Sequence, residues 1–346
     1  MTTWPISSMG NKLTSDSKKA AFWLPVLILI LVLSVSLSIC LGAVPVRLQE
    51  LWEVVLGKAD PQSTAFRIVM YVRLPRALAA MLAGSALAVS GAVIQAVLNN
   101  VLASSNIIGV NSGAGLFTLL AMVLFPDSLG LPPIAAFLGA LLTALLVYAA
   151  AMRTGASRIT IVLTGVALGS ILSAGINAIT ILHPEVVIGA SSFMMGGLAG
   201  VTAGGLRFAY PYILAGLAAA VALSHEMNVF LLGEDIAATL GMHVKLYRLF
   251  MIATAAVLAG AAVSFAGLLG FVGLLVPHAA RLLTGSDNRI LVPVCILLGA
   301  AFVTACDLLS RLLFAPYELP VGIIMSFLGG PFFIWLLLKQ RRKINA

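Results

Sequence analysis

In a chain with few charges, two adjacent carboxylates stand out. The segment LLGEDIAATLGMHVKLYR (Leu231 to Arg248) sets Glu234 beside Asp235, between Gly233 and Gly241. Paired acids can move protons, hold a cation or start a helix, and their neighbours decide which. His183, His225, His243 and His278 are scattered, with none paired at metal-ligand spacing. The helix reading fits better. Gly233 caps the start, and Glu234 and Asp235 occupy a first turn where the helix dipole favours negative charge. Ile236 and Leu240 are four apart on one face, and Gly241 supplies a left-handed stop. Such a helix of about two turns does not hold its shape alone in water. A solvated interfacial helix is one reading. A docking helix that receives a soluble partner is the other.

Other reactive side chains give no catalytic set. Cys40, Cys295 and Cys306 all fall in apolar segments, without disulfide or metal spacing, and read as small packed hydrophobes. His278 and Arg281 are three apart on one helical face, which suggests a cap or an interface. Asp307 is the one candidate for an acid deep in an apolar run, and Arg311 one turn later suggests a local pair. The phosphate loop GxxxxGK[ST] is absent, so ATP is not bound by that route. Energy for any active process must come from a partner.

The elements that position these residues follow from composition. The chain is 61% hydrophobic and 9% charged, with 32 glycines among 346 residues. A soluble domain carries roughly 25% charged residues. Repeated apolar runs of about 20 residues predict an all-α polytopic membrane protein, and the strand alternation of a β-barrel is missing. About ten spans are expected, at 21–42, 77–97, 107–125, 131–152, 159–182, 209–224, 246–265, 267–285, 290–312 and 320–338. Residues 1–20 read as an N-terminal tail, 21–338 as one transmembrane domain with a loop at 231–244, and 339–346 as a basic tail. The first apolar run exceeds the roughly 7–15 residues of a signal h-region and reads as a retained span.

Basic residues set the orientation. With both tails in the cytoplasm, thirteen of the twenty Lys and Arg residues fall inside, including the KQRRK stretch from Lys339 to Lys343. Seven fall outside, and four of them, Lys58, Arg67, Arg73 and Arg76, form a patch. The net charge of +8 therefore reflects membrane topology rather than nucleic-acid binding. Glycine pairs at GxxxG spacing, Gly165 with Gly169 and Gly109 with Gly113, read as helix packing. Ser170, Ser173 and Asn177 put a polar stripe on the fifth span, suited to a wet pathway.

Four long motifs carry a family resemblance. RLPRALAAMLAGSALAVSGAVIQ (Arg73–Gln95), LLGEDIAATLG (Leu231–Gly241), GLLGFVGLLVPHAARLLTGSDNRILVP (Gly267–Pro293) and ELPVGIIMSFLGGPFFIWLLLK (Glu318–Lys339) resemble the FecCD-type permeases of iron-siderophore, haem and cobalamin ABC importers. The resemblance implies ten spans with an inverted repeat, spans 2–5 against 7–10. It implies a second permease copy or paralogue, an ATP-binding-cassette subunit beneath, and an extracytoplasmic substrate-binding protein above, with no cofactor bound by this chain itself. It makes Gly233, Glu234, Asp235, Leu240 and Gly241 the ATPase-coupling helix. It assigns Arg73, Arg76 and Arg311 to acidic residues on the two lobes of the binding protein, a register device more than a source of affinity. Asn100 and Leu102 match positions that narrow the cytoplasmic gate. The turn there, NNVLASSNIIGVNSGAG, departs from the family pattern, with Val101 where proline is usual. Gly109, Asn111, Ser112 and Gly113 match well.

The expected function is thus a translocation pathway driven by a separate ATPase, importing an iron–siderophore complex across the cytoplasmic membrane. Haem or cobalamin import is the alternative. An ion-driven secondary transporter is disfavoured by the scarcity of buried acids, and an assembly protein without transport is the third class.

Overall fold

A computed structural model describes residues 6–42, 44–153 and 158–344, and every regular element among them is helical. In chain order these are α1 (Ile6–Cys40), α2 (Leu48–Val55), α3 (Thr64–Arg67), a π-helical turn (Ile68–Arg73), α4 (Leu74–Leu98) and a 3-10 turn (Ser105–Ile108). Next come α5 (Val110–Leu124), α6 (Leu131–Arg153), α7 (Arg158–Leu182), α8 (Pro184–Met195) and α9 (Ala203–Ala222). The chain finishes with α10 (Ser224–Leu231), α11 (Glu234–Thr239), α12 (Val244–Ala266), α13 (Val272–Thr284), α14 (Asn288–Leu312) and α15 (Val321–Ile344).

Seven of the described helical segments are long and apolar enough to cross a bilayer, and three shorter apolar helices, Val110–Leu124, Val272–Thr284 and Val321–Trp335, lie at the other three expected positions. The eighth span is shorter than the sequence suggests. Gly267, at φ +70°, stops α12, and Phe271, at φ +63°, holds the start of α13, so the intervening residues are not helical. The expected tail boundaries fall inside helices: α1 runs unbroken through residues 20 and 21, and α15 through 338 and 339. The outermost tail residues, 1–5 and 345–346, lie outside the described set. So do the side chains of the KQRRK stretch. Helices α2, α8 and α10 are too short for a span-length pattern, although Pro184 at the first turn of α8 is a start signal.

Helix α4 is the centre. It packs against α14, α12, α13 and α9, and nearly all its residues from Ala83 to Leu98 are buried. Alanine, glycine and serine dominate this stretch because lipid supplies no hydrophobic drive between helices, and close backbone approach must substitute. A Cβ placed on Gly84 would lie 2.1 Å from the carbonyl oxygen of Gly299 in α14. One on Gly91 would lie 1.9 Å from that of Gly273 in α13.

The packing is reciprocal, as an inverted repeat of α4–α7 and α12–α15 requires. Helix α4 lies on α14, and α12 lies on α6. Gly165 of α7 sits against Ile107, just before α5, and Gly329 of α15 sits against Phe271, just before α13. Of the glycine pairs noted above, Gly109, Gly113 and Gly165 are close-approach points within this chain, whereas at Gly169 an added Cβ meets only Ser112 Oγ at 3.6 Å.

The helix ends fall on two faces. On one, here the near face, α11 is held among α7, α10 and α12. On the other, the far face, the ends of α1 and α14 meet the start of α4.

Candidate functional site

On the near face, α11 is a six-residue helix between two glycines at positive φ, Gly233 at φ +109° and Gly241 at φ +85°. The amides of Gly241 and Met242 return to the carbonyls of Ala238 and Ala237, closing the C-terminus as expected for a glycine stop. Ala237 points inward, while Ile236 and Leu240 are 51% and 65% exposed. Glu234 and Asp235 diverge. Asp235 is exposed. Glu234 turns inward: its Oε1 lies 3.5 Å from Nε of Arg158 at the head of α7, and its Oε2 is ion-paired with Arg248 near the head of α12. Arg248 is buried, with its guanidinium carbon 5.7 Å from the centre of the Phe230 ring in α10.

A second clip fixes the platform under α11. Asn228 of α10 donates to Asp287 Oδ1 at 2.7 Å and accepts from the backbone and side-chain nitrogens of Asn288, each at 2.9 Å. Asp287 also caps α14 by accepting from the Arg289 amide at 3.0 Å. Partial burial pushes the Asp287 carboxyl up, but the hydrogen bonds from Arg289 and Asn228 outweigh it and hold the group below the usual aspartate range.

The turn after α4 compensates for its missing proline with side-chain hydrogen bonds. Asn99 takes a left-handed conformation at φ 46°, and Asn100 Oδ1 accepts from the Leu102 amide at 2.9 Å. Gln95, buried in α4, donates from Nε2 to the carbonyl of Ala103 at 3.1 Å and to that of Gly273 at 3.2 Å. Its Oε1 accepts from Arg281 of α13. One amide therefore joins α4, the turn and both ends of α13. Asn100 is exposed and Leu102 half-buried on this turn. Ser170, Ser173 and Asn177 share one exposed face of α7, so the polar stripe expected from their spacing is uncovered in the single chain.

The far-face arginines differ from expectation. Arg73, Arg76 and Arg311 are 4%, 7% and 3% exposed, and all three are committed within the chain. Arg73 donates to the carbonyls of Ile39, Cys40 and Val44, pinning the end of α1 and the loop beyond it. Arg76 Nε meets Asp307 Oδ1 at 2.9 Å, and its Nη1 meets Glu318 Oε2 at 2.6 Å. Arg311 Nε lies 3.2 Å from Asp307 Oδ2, the local pair expected from spacing, and its Nη2 donates to Ser38 Oγ at 2.7 Å. These guanidinium groups hold the far face together instead of projecting from it. The exposed basic residues there include Arg47, Lys58, Arg67 and Arg207.

His278 and Arg281, three apart on α13, each meet a different neighbouring helix. The His278 ring packs edge-on against Phe332 of α15, while Arg281 reaches Gln95 of α4. Sequence reasoning also missed Arg158, Arg248, Asn228, Asp287 and Gln95. For Asp287 the signal was present, since an aspartate just before a helical run is a cap.

The sequence profile of the FecCD transport family matches residues 28–339. The cobalamin import system permease protein BtuC of Halobacterium salinarum is 42% identical over 286 residues, covering 82% of this chain and 76% of that protein. The iron-uptake system permease protein FeuB of Bacillus subtilis is 36% identical over 290 residues, covering 83% and 86%. Among solved structures, an inward-facing transporter assigned to the metal-chelate type of ABC transporters superposes with a TM-score of 0.81 at 27% identity, covering 92% of this chain and 99% of that one.

Proposed function

The chain belongs to the FecCD transport family, and from that premise we propose that it is the permease subunit through which an ATP-driven importer moves an iron–siderophore complex. As a family member it is a multi-pass membrane protein and a transport subunit, not an enzyme; the family implies an ATPase and a substrate-binding protein as partners. The observation that carries the mechanism is α11. Ile236 and Leu240 are left exposed beside the charge of Asp235 on a helix too short to fold alone, so another protein surface must cover them. The ATPase subunit is that surface. Its closure on ATP would displace α11, and the two halves of a permease pair would rock and switch access to a pathway lined in part by Ser170, Ser173 and Asn177, with Asn100 and Leu102 at its cytoplasmic constriction.

This reading places the near face and both chain ends in the cytoplasm. The binding protein docks on the far face, where Arg73, Arg76 and Arg311 maintain the surface's shape. Exposed Arg47, Lys58 and Arg67 offer charge for acidic lobes. The ion-driven alternative loses its one candidate group, because Asp307 is fixed between Arg76 and Arg311.

Iron-55 uptake in cells lacking this chain, with and without its restoration, tests the substrate. Restored uptake of ferric hydroxamate or catecholate chelates supports the iron–siderophore reading. Cobalamin uptake restored in place of iron would overturn it and favour the second reading, which the 42% identity to a cobalamin permease supports.

A further inference from the structure

A helix that only received a partner would have no need to turn one of its two acids inward. Glu234 nonetheless directs both carboxylate oxygens into the permease, one to Arg158 and one to Arg248. Arg158 is the first residue of α7, and Ser170 lies twelve residues farther along that helix, about 18 Å at a rise of ~1.5 Å per residue. Arg248 lies in the first turns of α12, buried and stacked near Phe230 of α10. A single carboxylate thus ties α11 to the helix bearing the polar stripe and to a helix of the opposite repeat.

The chemistry suits force transfer. Six residues closed by two flexible glycines cannot pass on a push unless something stiffer is attached. An exposed ion pair is weak and slack. Here one partner is desolvated, so separating the charges costs more than it would at the surface and the link resists stretching. Asp235, the neighbour, makes no such inward turn and is exposed.

Resting on the permease reading above, we propose that Glu234 is a positioning residue, a strut that carries displacement of α11 into α7 and α12, whereas Asp235 belongs to the surface the ATPase covers. The two acids, alike in sequence, then fail differently when altered.

The test uses the complete complex of permease, ATPase and binding protein in proteoliposomes. Glu234→Gln, Arg158→Gln and the double variant are compared for ATPase co-purification, ATP hydrolysis and substrate moved per ATP. For Glu234→Gln the ATPase stays bound and hydrolysis continues, while substrate moved per ATP falls about three- to thirtyfold, the span expected for a break in a coupling network. Arg158→Gln, which breaks only the contact to α7, shows a smaller fall in the same direction, and the double variant loses no more than Glu234→Gln, which already removes both contacts. Loss of the ATPase from the Glu234→Gln complex would overturn the strut and return Glu234 to the docking surface. A wild-type ratio of transport to hydrolysis would overturn it as well. Should Glu234→Gln give no folded complex, Arg158→Gln, altered at a half-exposed side chain, decides by the same criteria. Absence of ATP-dependent uptake by the wild-type complex would instead count against the permease reading itself.

Discussion

At the residue scale, the decisive feature is how few charges the chain keeps inside and how those around Asp307 compensate one another. Asp307 is fully buried between Arg76 and Arg311 at the far end of α4 and α14. Removing one member of a buried ion-pair set costs about 3–5 kcal/mol, because the remaining charges lose their compensation in low dielectric. Asp307→Ala is therefore expected to lower the thermal unfolding temperature in detergent sharply, and an unchanged melt would contradict the arrangement. Asp287 makes a pH-dependent prediction. Its folded pKa is depressed, so its contribution is complete above the unfolded value of roughly 4 and lost as pH falls through the depressed value. Asp287→Asn should melt below wild type at neutral pH, and the two curves should converge as the carboxyl protonates. Little of this was legible beforehand. Arg158 is 76 positions upstream of Glu234, and Gln95 is 186 positions from Arg281. Only folding makes them neighbours. The local pair Asp307–Arg311 was readable because one helical turn separates them.

At the element scale, the spans were legible and their packing was not. Length and hydropathy located the seven long apolar helices and the three shorter ones among the described residues, since a bilayer enforces span length. The glycine pairs were less informative, because GxxxG spacing names a possible contact without its partner. The structure separates them. Gly91→Val would drive a Cβ into the Gly273 carbonyl, 1.9 Å away, and force α4 from α13. The cost should reach or exceed the ~1–3 kcal/mol of ordinary overpacking. Gly169→Ala meets ordinary contact at 3.6 Å and should be tolerated. Size-exclusion profiles and melting curves of the two variants would distinguish them. The turn after α4 makes a functional prediction. Gln95→Leu removes the amide shared by Ala103, Gly273 and Arg281, freeing the turn proposed above as the cytoplasmic constriction. The expected outcome is a leak of small solutes from vesicles without ATP. Vesicles as tight as wild type would show that the Asn100 hydrogen bond to Leu102 suffices.

At the scale of the whole molecule, the reciprocal packing of α4 on α14 and α12 on α6 gives two similar halves facing opposite ways. Such halves can exchange inward and outward openings by rocking, provided that something outside the bilayer moves them. Nothing in the described near face supplies that energy, and α11 offers a surface for a protein that does. The account stands or falls on that dependence. The most direct measurement is substrate accumulation in proteoliposomes holding the permease with its ATPase and binding protein, comparing active ATPase with a variant that binds but does not hydrolyse ATP. The account predicts accumulation only with the active ATPase, and its loss when Asp235→Lys displaces that subunit from the near face. Equal accumulation with the inactive ATPase, or accumulation driven by an ion gradient alone, would contradict it.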